Sequence, residues 1–345
     1  MDTTVLAVIG SVIDWLMMHE TLLSGLAAAT GMTVLATTLC YRMLTTTGSR
    51  LRQVTQRRDQ TNLTQQLRYC ATADGVRIAY AKTGNLHQGI PLVRALGWFT
   101  HLQAEWQPGA GRALWQRLSR RHCLYRYDGR GMGLSSAVDS RFTMEERLRD
   151  LEAVIDAAGL DRCALIGLSE GGATAIAYAA KHPDRVSHLI LYGSFLNTAS
   201  FDVETRARWE QLLPLMRQAW RSERPAIRQL FTGIMIPDAD AAQNAYFNEL
   251  QRLACDGTTA FRMALAVANI DVSNLAPAVQ APTLVLHRRG DLAIPVEAGQ
   301  ALAASIPNAE LVLLEGANHW MLMAEPDTDR IVSRMEAFLS GGVID

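Results

Sequence analysis

Five residues, Gly167-Leu168-Ser169-Glu170-Gly171, constrain this chain more than any other stretch, because of what flanks them. Before them runs Cys163-Ala164-Leu165-Ile166, a short apolar segment bounded by Asp161-Arg162, which reads as a buried strand. After them come residues 172–181, rich in helix formers and stopped by His182-Pro183. A serine between two glycines at such a junction sits on a sharp strand-to-helix turn. The glycines let a cramped backbone pass close to its neighbours while the hydroxyl stands exposed. The feature calls for a sheet with helices packed on it, and it presents a candidate nucleophile.

A serine hydroxyl is a poor nucleophile at neutral pH, so it needs a general base, and that base needs an orienting acid. Residues 282–287 form an apolar, strand-like run that leads into Arg288-Arg289-Gly290-Asp291. Residues 309–314 form another, followed by Glu315-Gly316-Ala317-Asn318-His319-Trp320. Asp291 and His319 therefore each fall in a loop just past a strand end, in the chain order Ser, Asp, His. An acid after the strand at 186–192 is the other possibility. That loop, Gly193-Ser194-Phe195-Leu196-Asn197, offers no carboxylate before Asp202, which favours Asp291.

Around these points strand and helix patterns alternate, which implies a mostly parallel sheet covered on both faces. The segment 76–81 alternates and suits an edge strand. Helical patterns cover 113–119, 144–158, 296–304 and 326–339, and strand patterns cover 91–95 and 123–127. From 197 to about 270 strand signals vanish and helical ones take over.

These residues resemble the α/β-hydrolase superfamily over roughly 67–340. Asp128-Gly129-Arg130-Gly131-Met132-Gly133-Leu134-Ser135 is similar to its D-x-R-G-x-G-x-S turn, and 282–291 to its seventh strand and acid loop. A narrower likeness runs through Gly97-Trp98-Phe99-Thr100-His101, Arg208-Trp209-Glu210, residues 231–238 and residues 247–252. It resembles the hydrolase domains fused to adenylate-cyclase or helix-turn-helix regulatory modules in bacteria. The resemblance implies an α/β-hydrolase fold with a helical cap at about 197–270. It implies a serine hydrolase acting on a small ester, thioester, lactone or related acyl compound, with Ser169, Asp291 and His319 as its triad and no cofactor. The backbone N–H groups of Trp98 and Glu170 would form the oxyanion hole. Cap side chains Trp209, Met216, Phe231, Met235 and Phe247 would give an apolar substrate pocket. Where many members carry His-Gly after the third strand this chain has Leu96-Gly97, so the brace that the histidine often gives that loop is expected to be missing. A non-catalytic, ligand-sensing module on the same fold is the alternative, and a complete triad argues against it. Ser169 at the elbow excludes the aspartate-nucleophile chemistry of dehalogenases and epoxide hydrolases.

The length of 345 residues allows one α/β domain of about 270 residues after an N-terminal extension. A net charge of −1 gives no reason to expect nucleic-acid binding. Cys40, Cys70, Cys123, Cys163 and Cys255 lack C-x-x-C spacing, and no metal-ligand cluster or phosphate-binding loop is legible. The N-terminus is a different material. Residues 21–41 carry no charge, enough to span roughly 30 Å as a helix, the thickness of bilayer hydrocarbon. Arg42, Arg50, Arg52, Arg57, Arg58 and Arg68 follow, whereas the preceding flank carries Asp2, Asp14 and Glu20. The asymmetry predicts an apolar, membrane-anchoring helix within 1–45 and an arginine-rich linker at 46–66. The hydrolase domain would lie on the cytoplasmic side. The alternative is a soluble helix that packs on the domain.

Overall fold

The computed structural model describes residues 63–341, apart from 87–88, 96, 109, 221–225 and 322–327. The apolar segment, most of the arginine-rich linker, and Leu96 lie outside the described residues. Among the described residues no helix is long and apolar enough to cross a membrane.

Eight strands form one sheet in the order β1-β2-β4-β3-β5-β6-β7-β8. They are β1 (Gln66–Ala71), β2 (Arg77–Thr83), β3 (Leu92–Ala95), β4 (Leu124–Asp128), β5 (Cys163–Leu168), β6 (Val186–Tyr192), β7 (Thr283–Arg288) and β8 (Ala309–Leu314). β2 pairs antiparallel with both β1 and β4, and every pair from β4 through β3 to β8 is parallel. Residues alternate between two buried faces. Leu92, Ala164, Ile166, Ile190, Leu284 and Leu286 face one layer, and Val93, Leu165, Leu189, Leu191 and Val285 face the other. The first layer is closed by α1 (Ala110–Ser119) and α9 (Thr328–Leu339). The second is closed by α2 (Met144–Ala157), α3 (Gly171–Lys181) and α8 (Val296–Ser305).

The segment expected at the sheet edge is internal; the edge belongs to β1. The alternation in β2 is of large against small residues, not of apolar against polar. Ile78 and Tyr80 enter the main core, while Ala79 and Ala81 accommodate Leu102 on the opposite face. On β1, Leu67 and Tyr69 are exposed, as an edge with one partner permits.

Among the described residues between β6 and β7 lie four α-helices, α4 (Val203–Ala219), α5 (Ala226–Met235), α6 (Ala241–Ala254) and α7 (Gly257–Ala268). Asp202, Asp240 and Asp256 start α4, α6 and α7, each side chain accepting the N–H of the third residue on.

Candidate active site

Ser169 follows β5 and precedes α3 with φ of +54°, a left-handed conformation that a non-glycine residue rarely adopts. Such a residue costs about 1–3 kcal/mol and needs its surroundings to hold it. Its N–H donates to the Tyr192 carbonyl at 2.9 Å, and its carbonyl accepts from Gly172 at 3.0 Å. A Cβ on Gly167 would stand 2.5 Å from the Gly172 Cα, and one on Gly172 would overlap the Ser194 side chain. Gly167 thus lets α3 start close against β5, and Gly172 lets the elbow lie against Ser194 just past β6.

Asp291 lies in the loop after β7. Its Oδ1 accepts the N–H groups of Ala293 and Ile294 at 2.9 and 3.0 Å, which turns Oδ2 toward His319. The His319 Nδ1–H donates to Oδ2 at 2.6 Å, and both side chains are buried. With Nδ1 protonated by that bond, Nε2 is the basic nitrogen. Gly193, at φ of +54° just past β6, makes room for the pair: a Cβ there would lie 2.9 Å from the imidazole. A second buried histidine, His287, donates through Nε2 to the Ile294 carbonyl at 3.0 Å, and that nitrogen lies 3.8 Å from Asp291 Oδ2. Burial holds the His287 imidazole below its ordinary pKa, so it is a neutral prop for the acid loop. Neither Gly193 nor His287 stood out in the sequence. The only signals were a glycine at a strand end and a histidine four residues before Asp291.

Trp98 follows β3, and the loop that carries it is held from several sides. Phe99, at φ of +57°, stacks between Trp98 at 5.0 Å and Trp220 at 4.7 Å, with Phe231 edge-on to both Trp98 and Phe99. The Leu102 N–H donates to both Asp128 oxygens at 3.1 and 3.2 Å. Glu105 accepts from Arg94 at 2.6 Å and Arg126 at 2.9 Å, and the Arg94 guanidinium lies over the Trp115 and Trp320 rings. Leu96, where the histidine's brace is expected to be missing, lies outside the described residues; aromatic stacking and buried ion pairs hold the loop beyond it.

Ser169, Glu170, His319 and Trp98 open onto one cavity of about 820 Å³, mouth included. Trp209 and Met235 also line it; Met216, Phe231 and Phe247 do not. All three are buried, Phe231 against Trp98 and Phe99 and Phe247 against Trp320. Their expected place in the pocket wall is therefore corrected, because apolarity does not distinguish a wall from the packing behind it. The remaining wall is mostly apolar, with Phe195, Phe201, Leu213 and Val267, while Arg206 and Glu210 are exposed members of it. Burial pushes the Glu170 carboxyl up, opposed chiefly by Arg147, whose guanidinium lies 3.9 Å away. Among the described residues no group of three His, Cys, Asp or Glu is placed to hold a metal ion.

Residues 86–326 match the family model described as alpha/beta hydrolase fold. A 2-hydroxy-6-oxononadienedioate/2-hydroxy-6-oxononatrienedioate hydrolase of Dechloromonas aromatica is 30% identical over 51% of this chain and 62% of its own length. The chain thus spans about six-tenths of that relative. A 2-hydroxymuconate semialdehyde hydrolase of Pseudomonas putida is 28% identical over 61% of this chain and 74% of its own. Among solved structures, an esterase from a Rhodococcus species superposes with a TM-score of 0.66 at 24% identity, covering 79% of this chain and 98% of the esterase. An enol-lactonase from Burkholderia xenovorans gives 0.63 at 24% identity, covering 79% and 100%. These two show a shared fold. With the family model matched over most of the sheet and through both loops beside the cavity, the chain belongs to the alpha/beta hydrolase fold family.

Proposed function

We propose that this protein is a serine hydrolase that cleaves an ester, thioester, lactone or related acyl bond through Ser169, His319 and Asp291. The observation that carries this reading is the 2.6 Å bond to Asp291 from His319, which shares a cavity with the strained Ser169. Ser169 Oγ attacks the acyl carbon as His319 Nε2 takes its proton, and Asp291 stabilises the imidazolium that results. The N–H groups of Trp98 and Glu170 receive the oxyanion, and donors of this kind contribute about 3–4 kcal/mol to the transition state. His319 then protonates the leaving group, and water, activated by the same nitrogen, releases the acyl group from Ser169.

The two curated relatives are named for 2-hydroxy-6-oxo dioates and a muconate semialdehyde. Besides His319, the ionisable groups of the cavity here are Glu170, Arg206 and Glu210, two acids to one base, in an otherwise apolar wall. That balance favours an uncharged acyl substrate over a dicarboxylate. Labelling with a fluorophosphonate probe tests the reading: wild type takes the probe at Ser169 and Ser169→Ala does not. Labelling that survives the substitution overturns it. The uncharged segment 21–41 and the arginines behind it support a membrane anchor with this domain on the cytoplasmic side.

A further inference from the structure

The loop that carries His319 is held from two sides. On the sheet side, Arg288 donates to the Glu315 carbonyl and to the Tyr192 hydroxyl, each at 2.9 Å. On the other side the partner is the cap. The carbonyl of Met235, the last residue of α5, accepts the N–H of His319 at 2.8 Å and of Trp320 at 3.3 Å. Three residues on, Asp238 and the histidine loop exchange a reciprocal pair of bonds. The Asp238 N–H donates to Asn318 Oδ1 at 2.8 Å, and Asp238 Oδ2 accepts the Ala317 N–H at 3.1 Å. The backbone N–H groups of Ala317, His319 and Trp320 are therefore all given to the cap around the imidazole, and Asn318 adds its side chain. Met235 also lines the cavity, so one residue touches the substrate space and fixes the His319 backbone.

We propose that Asp238 and Asn318 are positioning residues that clasp the cap to the histidine loop, so that a substrate group pressing on Met235 improves the alignment of His319 and is read in kcat. The proposal rests on the triad reading above. The clasp touches neither substrate nor reacting atoms and acts only through the histidine. Asp238 is exposed, so truncating it removes the Oδ2 acceptor of the Ala317 N–H without leaving a cavity in the core, while the backbone N–H of residue 238 still reaches Asn318. Displacing a catalytic group by about 1 Å costs on the order of 100-fold in rate. A merely structural bond would lower the melting temperature and leave the turnover of folded enzyme unchanged.

The experiment uses the full chain and p-nitrophenyl acetate, butyrate and octanoate, with melting temperature followed in parallel. Asp238→Ala is expected to lower kcat about 10- to 100-fold with KM within about twofold, the pattern of lost transition-state alignment. In wild type, kcat rises as the acyl chain lengthens, and in Asp238→Ala that rise flattens. Asp238→Asn retains an oxygen for the Ala317 N–H and recovers most of the loss. Asn318→Ala opens the clasp from the other side and gives the same signature, which decides the matter if Asp238→Ala does not fold. Folded Asp238→Ala and Asn318→Ala enzymes with wild-type kcat on all three esters overturn the proposal. So does an equal loss in Asp238→Asn, or a wild-type kcat that does not rise along the series. Undiminished turnover by Ser169→Ala is the separate sign that the triad reading has failed, and it takes the clasp with it.

Discussion

Asp291 and Asp202 each accept a backbone N–H, and the difference lies in what the second oxygen does. In Asp202, Oδ1 takes the Thr205 N–H and Oδ2 the Thr205 hydroxyl, so both oxygens are spent at the start of α4. In Asp291, Oδ1 takes two backbone N–H groups and leaves Oδ2 for His319. Asp291→Asn is therefore expected to cut kcat on a short p-nitrophenyl ester by up to about 10⁴-fold, because the amide stabilises the wrong imidazole tautomer. Asp202→Asn is expected to leave kcat unchanged and, because asparagine caps nearly as well, to shift stability by less than about 1 kcal/mol. Steady-state kinetics on the two variants checks the pair, and a damaging Asp202→Asn beside a harmless Asp291→Asn reverses the assignment. Ser169, Asp291 and His319 were legible because each follows a strand at a point where the chain must turn. Gly193 and His287 were not, since their importance comes from a close approach of three strand ends that no local pattern encodes.

Elements show the same division between what a pattern records and what assembly adds. The long helical signals at 144–158 and 197–270, the strand runs and the aspartate caps follow local preference, and those elements stand close to where the pattern puts them. The position of 76–81 in the sheet was misread because an alanine face reads as polar in an alternation, yet here it is buried against Leu102. The Arg130 turn is another product of assembly. Arg130 donates to Asp150 at 2.8 and 3.0 Å and to Asp74 at 2.8 and 3.2 Å, tying the turn after β4 to α2 and to the β1–β2 hairpin. Arg130→Met leaves the buried Asp150 carboxylate without that partner and is expected to cost about 3–5 kcal/mol, measured by urea unfolding. Asp74 is a separate test. The Arg130 guanidinium and the Thr72 hydroxyl hold its carboxyl well below the usual range. A carboxyl depressed in the folded state adds stability above its unfolded pKa of about 4 and loses that contribution as pH falls below it. Asp74→Asn is thus expected to lower stability at pH 7 and to flatten its decline below about pH 4; an unchanged acid slope counts against the pairing.

At the scale of the whole molecule, every strand among the described residues and every residue proposed for the chemistry lies within 66–319. Deleting residues 1–58 is therefore expected to leave a hydrolase that takes a fluorophosphonate label and turns over p-nitrophenyl esters at the full-length rate. The first edge strand keeps its supports, since Gln65 donates to the Leu102 carbonyl and accepts from Arg126. What the deletion removes is the uncharged 21-residue segment and five of the six arginines behind it. An anchor of that kind holds by apolar transfer into hydrocarbon, which salt does not weaken, whereas attraction of arginines to anionic lipid fades as ionic strength rises. Cells expressing the full chain should therefore retain it in the membrane pellet after a high-salt wash and release it into detergent, while the shortened chain stays in the supernatant. Release of the full chain by salt alone would leave only the arginines in contact with lipid. Recovery in the supernatant without any wash would make residues 21–41 a helix that packs on protein.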